Sequence, residues 1–359
     1  MIMKHWIVFL VLAYLIFAYF PTYAETTASL GSSLFKFDSY EQIRMSDNID
    51  STNYLAMRRL KGMFTWNPSP GWTIYAQALY KDGNVSSSDA RLWFQEFWIL
   101  KEVRKGWLKV GQFKPPFGME RFTPDTELET MDRSMASDHL VPNAGLPHSF
   151  TRDIGFQWET NALGRGLKTD VGIFTGNGAW TETYAGNGPM VAGSMTKKWS
   201  LGRKDWALCE GGLSYRQDHN INFSGALTGD KPFGISDFQG SDTRMDAAGG
   251  VNMGDWALRS EYIGARFHNT ARNNVLYAEG WYAQLSDRWA KRWDSVVKIE
   301  GFNPNIGVTG RYDTRWTSLG INYYMSGERE KIQLGYVMKS QSLAGKDHDV
   351  IDLQYQHYF

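Results

Sequence analysis

Between Lys114 and Arg152 the chain places four basic residues, Lys114, Arg121, Arg133 and Arg152, among six acidic ones, Glu120, Asp125, Glu127, Glu129, Asp132 and Asp138. Cations facing carboxylates across a narrow aqueous passage create a transverse field that sorts small solutes by charge and dipole. Lys114, Arg121, Arg133 and Arg152 are the candidate cations of such a passage, with Glu120, Asp125, Glu127, Glu129 and Asp132 opposing them. The adjacent pairs Asp132-Arg133 and Arg152-Asp153 also suit a plainer role, that of ion-paired anchors for a loop. The stretch carries a net −2. Other chemistry finds little footing. No HxxxH, HExxH or CxxC spacing occurs, so no metal is expected. Ser149 lies beside His148, but adjacent residues rarely reach triad geometry, so no enzyme is expected, and no cofactor. Gly176-Asn177-Gly178 and Gly186-Asn187-Gly188 precede no helix and read as loop glycines, not phosphate cradles.

The elements that must position these charges are strands. From Gly111 to Gly155, Pro115, Pro116, Pro124, Pro142 and Pro147 forbid a continuous strand, while Phe113, Phe117, Met119, Phe122, Leu140, Leu146 and Phe150 argue for an ordered fold-back. On either side, apolar and polar residues alternate with period two. Ile332, Leu334, Tyr336 and Met338 oppose Lys331, Gln333, Gly335 and Lys339; Ile154, Phe156 and Trp158 oppose Asp153, Gln157 and Glu159. Runs of roughly ten residues with one apolar and one polar face have the length of membrane-spanning strands. Sixteen are expected, at 34–46, 52–66, 71–82, 90–102, 106–113, 152–161, 166–175, 189–199, 205–216, 243–253, 255–266, 274–286, 293–302, 312–325, 329–340 and 348–359. Faces cannot be assigned in two of them. Arg58 and Arg59 fall on opposite sides of 52–66, and both sides of 90–102 are aromatic. Short connections such as 67–70, 254–255 and 326–328 alternate with long ones such as 175–189 and 217–242.

Lys4, an apolar run from Trp6 to Phe20, and Thr22-Tyr23-Ala24 read as a secretory leader cut after Ala24, leaving 25–359 as one barrel domain with an inward loop near 114–151. The mature chain then holds 37 basic and 38 acidic side chains, which gives nucleic acid no basic surface to bind. Cys209 is the sole cysteine, so no intrachain disulfide can staple the exported chain, and it reads as a small strand filler. High aromatic content with negative mean hydropathy and no second long apolar run suits an all-β, transmembrane antiparallel barrel of the bacterial outer membrane. The last strand ends on Phe359 with Ile351, Leu353, Tyr355 and His357 on the same face, the form of C-terminus that barrel-assembly machinery reads.

The run Val110-Gly111-Gln112-Phe113-Lys114-Pro115-Pro116-Phe117-Gly118-Met119-Glu120 resembles the phosphate-selective porin O and P family. Two further family-like segments follow in order, Met131-Asp132-Arg133-Ser134, with Asp in place of the usual Glu, and Thr151-Arg152-Asp153-Ile154-Gly155. The resemblance implies a sixteen-stranded outer-membrane porin, a homotrimer in outer-membrane lipid, passing small hydrophilic solutes with inorganic anions such as phosphate first among them. The acidic loop argues against carrying the phosphate specificity over, and a weakly selective or cation-preferring pore is the alternative. From another class, a non-conducting structural barrel or adhesin remains open.

Overall fold

The computed structural model describes residues 26–30, 33–49, 53–82, 92–143, 151–161, 163–164, 166–180, 188–222, 237–270, 273–307, 313–341 and 348–359. The expected leader, Ser149 with His148, Gly186-Asn187 and the middle of the 217–242 connection lie outside them.

The described strands, in chain order, are β1 Thr26–Leu30, β2 Ser33–Asn48, β3 Asn53–Asn67, β4 Trp72–Asp82, β5 Leu92–Val103, β6 Gly106–Phe113, β7 Asp153–Thr160, β8 Leu167–Phe174, β9 Met190–Ser200, β10 Trp206–Asn222, β11 Asp237–Met253, β12 Trp256–Asn269, β13 Asn274–Ala290, β14 Trp293–Asn303, β15 Thr314–Tyr324, β16 Glu330–Gln341 and β17 Val350–Tyr358. From β2 to β17 each pairs antiparallel with the next, and β17 pairs with β2 to close a sixteen-membered ring. Closure leaves no open edge, which is what a sheet needs to cross lipid. All sixteen expected strands are present within a few residues, except that β10 and β11 run six residues farther out than expected. The short β1 is an addition. It pairs with residues 33–37 of β2, on the edge that β17 vacates beyond Tyr40.

The burial profile is inverted relative to a water-soluble protein. Leu213 is 65% exposed and Phe156 62%, whereas Lys331, Gln42 and Gln356 are fully buried. Apolar residues face outward to lipid and polar ones face inward, as alternation demands.

Both ambiguous strands contain a bulge. Between β2 and β3, Gln42 pairs with Arg59 and Ile43 with Met57, so Arg58 is an extra residue. Two residues then oppose one, and Arg58 and Arg59 are both buried on the inner side. In β5, Gln77 of β4 pairs with Glu96 and Ala78 with Phe94, which makes Gln95 the extra residue. Outward positions thus shift phase from Leu92 and Phe94 to Phe97 and Ile99, and aromatics fall on both apparent faces.

Candidate functional site

After β6 the chain turns at Pro115-Pro116 and passes through Gly118 at φ +85. It then forms helix α1 (Met119–Phe122), a single 3-10 turn at Asp125–Glu127, and helix α2 (Met135–Leu140), capped by the Ser134 hydroxyl accepting from the Ser137 N–H at 3.2 Å. So little regular structure leaves many backbone groups without internal partners, and they must be satisfied elsewhere. Inward-pointing side chains of the wall do this. Arg44 donates to the Met131 carbonyl (3.0 Å), Gln356 to Thr126 (3.2 Å), Lys331 and Gln333 to Leu128 (3.0 and 3.1 Å), Asn322 to Glu129 (2.9 Å) and Lys298 to Asp132 (2.9 Å). Arg244 donates to the Leu140 and Val141 carbonyls at 2.9 and 2.6 Å. Two wall carboxylates accept from the N–H groups at the helix starts: Glu261 from Glu120 (2.9 Å) and Glu300 from Met135 (2.7 Å).

The rest of the contact is apolar. Phe117, Met135, Ala136, Leu140 and Val141 pack on Ile263, Ala265, Phe267, Ala278 and Phe302 of β12 to β14. At Gly280 of β13 a Cβ would stand 2.8 Å from the Ala136 Cα, so α2 rests on a position where only glycine leaves room.

Two carboxylates of the segment are hubs. Asp125 accepts from the Tyr40 hydroxyl at 3.0 Å and from Lys61 and Arg133, with the Arg59 Nε at 4.0 Å. Burial opposes its charge, but Arg133, Lys61 and Arg59 outweigh that and hold the carboxyl well below its usual range. Asp132 binds the Arg44 guanidinium at 2.7 Å and Arg58 at 3.1 Å. It too is held well below its usual range, burial being overcome by Arg44 and Arg58, although 47% of its side-chain surface remains open to the lumen.

The six residues singled out from the sequence differ in burial and partners. Glu120 accepts from the Ser134 N–H and hydroxyl at 2.8 and 2.6 Å. Arg133 donates to Asp125 and to the Thr123 carbonyl at 2.5 Å. Arg152 donates to one oxygen of Glu96 on β5 at 3.0 and 2.8 Å. These three are buried ties, and Arg133 and Arg152 also border the same cavity as Lys114, Arg121 and Asp132. Lys114, Arg121 and Asp132 keep surface on a shared cavity of about 610 Å³. Lys114 donates to the Arg121 carbonyl at 2.9 Å, and burial with the positive Arg152 nearby pushes its pKa well below the ordinary lysine range. Arg121 lies 3.8 Å from Asp138. Burial, Arg133 and Arg152 all push its pKa down, a pressure that a guanidinium withstands without losing its proton. Of the other candidate anions, Glu129 accepts from Gln284 at 2.5 Å and Glu127 is exposed.

The strands supply what the loop lacks. Arg44, Arg58, Arg59, Lys61, Lys298 and Lys339 also line this cavity, making ten basic groups against six acidic ones. The signal for Arg44 was in the sequence, since it alternates with Gln42 and Ser46 on β2. Arg58 and Arg59 were hidden by the bulge.

Residues 46–198 match the family model described as phosphate-selective porin O and P. Over that part, 153 of its 359 residues, the chain is similar to the family. Among curated proteins none matches it in sequence. The chain's fold is similar to that of the anion-selective porin from Comamonas acidovorans, with a TM-score of 0.66, 11% identity, and 91% of this chain and all of that one covered. OmpF of Salmonella typhi, in complex with daunomycin, gives 0.66 at 11% identity over 93% of this chain and all of that one. In-vitro folded OmpT of Vibrio cholerae, in its trimer form, gives 0.60 at 11% identity over 91% and 99%. At such identities the likeness is one of fold. The family match together with the closed barrel is that of a bacterial outer-membrane channel for small solutes.

Proposed function

We propose that this porin lets small hydrophilic anions diffuse passively across the outer membrane, with inorganic anions such as phosphate as first candidates. The segment from about 114 to 151 narrows the lumen, and the working form is a homotrimer in outer-membrane lipid, delivered by barrel-assembly machinery that reads Phe359. The observation that carries the reading is the paired arginine wall, Arg44, Arg58 and Arg59 beside Lys61, set against the half-open Asp132 in a cavity with ten basic and six acidic groups. The loop alone, at −2, favours cations; the wall reverses the sign. Guanidinium groups suit this task because they stay charged and offer planar donors to oxyanions.

Within the segment, Lys114, Arg121 and Asp132 are the more open residues a passing solute meets opposite the wall arginines, and Glu120, Arg133 and Arg152 hold the segment that carries them. Reversal potentials of the purified porin in asymmetric KCl across a planar bilayer test this. The reading expects chloride preference, reduced by phosphate, and a lower preference in Arg121→Ala. Clear potassium preference without phosphate block would sink it, and absence of any unitary conductance would favour a structural barrel.

A further inference from the structure

Three short turns at one end of the barrel carry the same pattern: Arg104-Lys105 ahead of Trp107, Arg203-Lys204 ahead of Trp206, and Lys291-Arg292 ahead of Trp293. All six basic residues are exposed. The turns join β5 to β6, β9 to β10 and β13 to β14, so each stands four strands from the next, about a quarter of the ring. This is the short-turn end, which in such barrels faces the periplasm.

Beside each turn the outward face carries exposed indoles. Trp72 and Trp158 lie by the first, Trp199 by the second, and Trp289 with Trp293, rings 5.8 Å apart, by the third. On that same face the Lys101 ammonium sits 4.4 Å over the Trp72 ring and Lys197 5.8 Å from that of Trp199. Acidic neighbours cancel the charge only in part, Asp294 pairing with Arg288 at 3.7 Å beside the third turn. Glu102, Asp205 and Asp287 are the only ones within the stretches 101–105, 197–205 and 287–292, which keep +2, +3 and +2 in a nearly neutral chain. The Asp205 carboxylate is moreover engaged by the Gly254 N–H at 2.9 Å.

We propose that these turns bind the phosphate-bearing headgroups of anionic phospholipids in the periplasmic leaflet. Indoles settle at the boundary between acyl chains and headgroups, and long basic side chains reach from there to the phosphates. Each basic group near an anionic leaflet adds to the attraction. A protein partner would dock at one point, whereas basic doublets at three points spread over half of the ring face the lipid that surrounds it. Free phosphate is the poorer occupant, because exposed doublets with no enclosing cradle hold it only through screened charge.

The test uses the full-length porin in detergent, with native mass spectrometry counting retained phosphatidylglycerol against phosphatidylcholine. The wild type is expected to prefer phosphatidylglycerol on the order of tenfold, less so as salt is raised. The variant R104Q/K105Q/R203Q/K204Q/K291Q/R292Q should lose the preference while keeping unitary conductance and ion selectivity. Should that variant fail to fold, R203Q/K204Q alone should still retain fewer phosphatidylglycerol molecules than the wild type. Equal retention of the two lipids by the wild type, or a preference surviving in the variants, would overturn the proposal. So would inorganic phosphate raising the melting temperature as much as phosphatidylglycerol does.

Discussion

Replacing Asp132 with asparagine removes the carboxylate shared by Arg44 and Arg58 while keeping the side chain's size. Two consequences compete. The lumen gains positive potential, and the segment loses one of its ties to the wall. The ties that remain are many: the Asp125 hub, the Glu261 and Glu300 contacts at the helix starts, wall donors to the carbonyls of Thr126, Leu128, Glu129, Met131, Leu140 and Val141, and an apolar patch. The segment should therefore stay in place, and the change in potential should dominate. A unit charge about 4 Å from another is worth about 1 kcal/mol in water and about 4 kcal/mol near a protein surface. With 47% of its side-chain surface open, Asp132 belongs near the watery limit. About 1 kcal/mol corresponds to a ratio of about five. Bi-ionic potentials in planar bilayers should thus show the chloride-to-potassium permeability ratio of Asp132→Asn raised about fivefold, with unitary conductance changed little. Arg58→Gln should move the ratio the other way. An unchanged ratio in Asp132→Asn, or a shift toward potassium, would refute the reasoning that these guanidiniums face the permeating ion.

Asp125→Asn leaves Arg133 and Lys61 without their shared carboxylate, and removing one partner from such a buried group costs about 3–5 kcal/mol, read as a lower melting temperature of the barrel. Because the folded Asp125 carboxyl lies below its unfolded value of about 3.9, its contribution is full above that pH and is lost as pH falls through the folded value, so the gap between wild type and variant should close only below about pH 4. Gly280→Val places carbon 2.8 Å from the Ala136 Cα, displacing α2 and raising single-channel conductance; equal conductance would show that α2 does not limit the pore. Lys114 loses its proton at lower pH than a free lysine, so chloride preference should fall as pH rises from neutral toward about 10, and Lys114→Arg should flatten that fall because a guanidinium stays charged.

Strand positions were legible because alternation is a local property. A residue's side follows from its neighbours two places away, and lipid outside a closed ring enforces the rule over about ten residues. The same locality explains the two failures. A bulge changes phase without leaving an apolar or polar anomaly, so Arg58 beside Arg59, and Gln95 beside Glu96, look like noise until the partner strand's register is known. The additional strand β1 is only five residues long and is recognisable by its pairing with β2.

The sequence by itself determined a closed all-β barrel, sixteen strands, a proline-broken charged segment between two of them, and the family to which its motif points. Tertiary structure decided the sign of the site. Charge counted along the loop is negative, but charge counted around the cavity is positive, because Arg44, Arg58, Arg59, Lys61, Lys298 and Lys339 come from β2, β3, β14 and β16, distant in sequence. It also showed Arg133 and Arg152 to be buried and tied to Asp125 and Glu96, although both border the same cavity as Lys114 and Arg121. Electrostatic potential depends on distance through space, and only ring closure brings the two ends of the chain side by side around the same water.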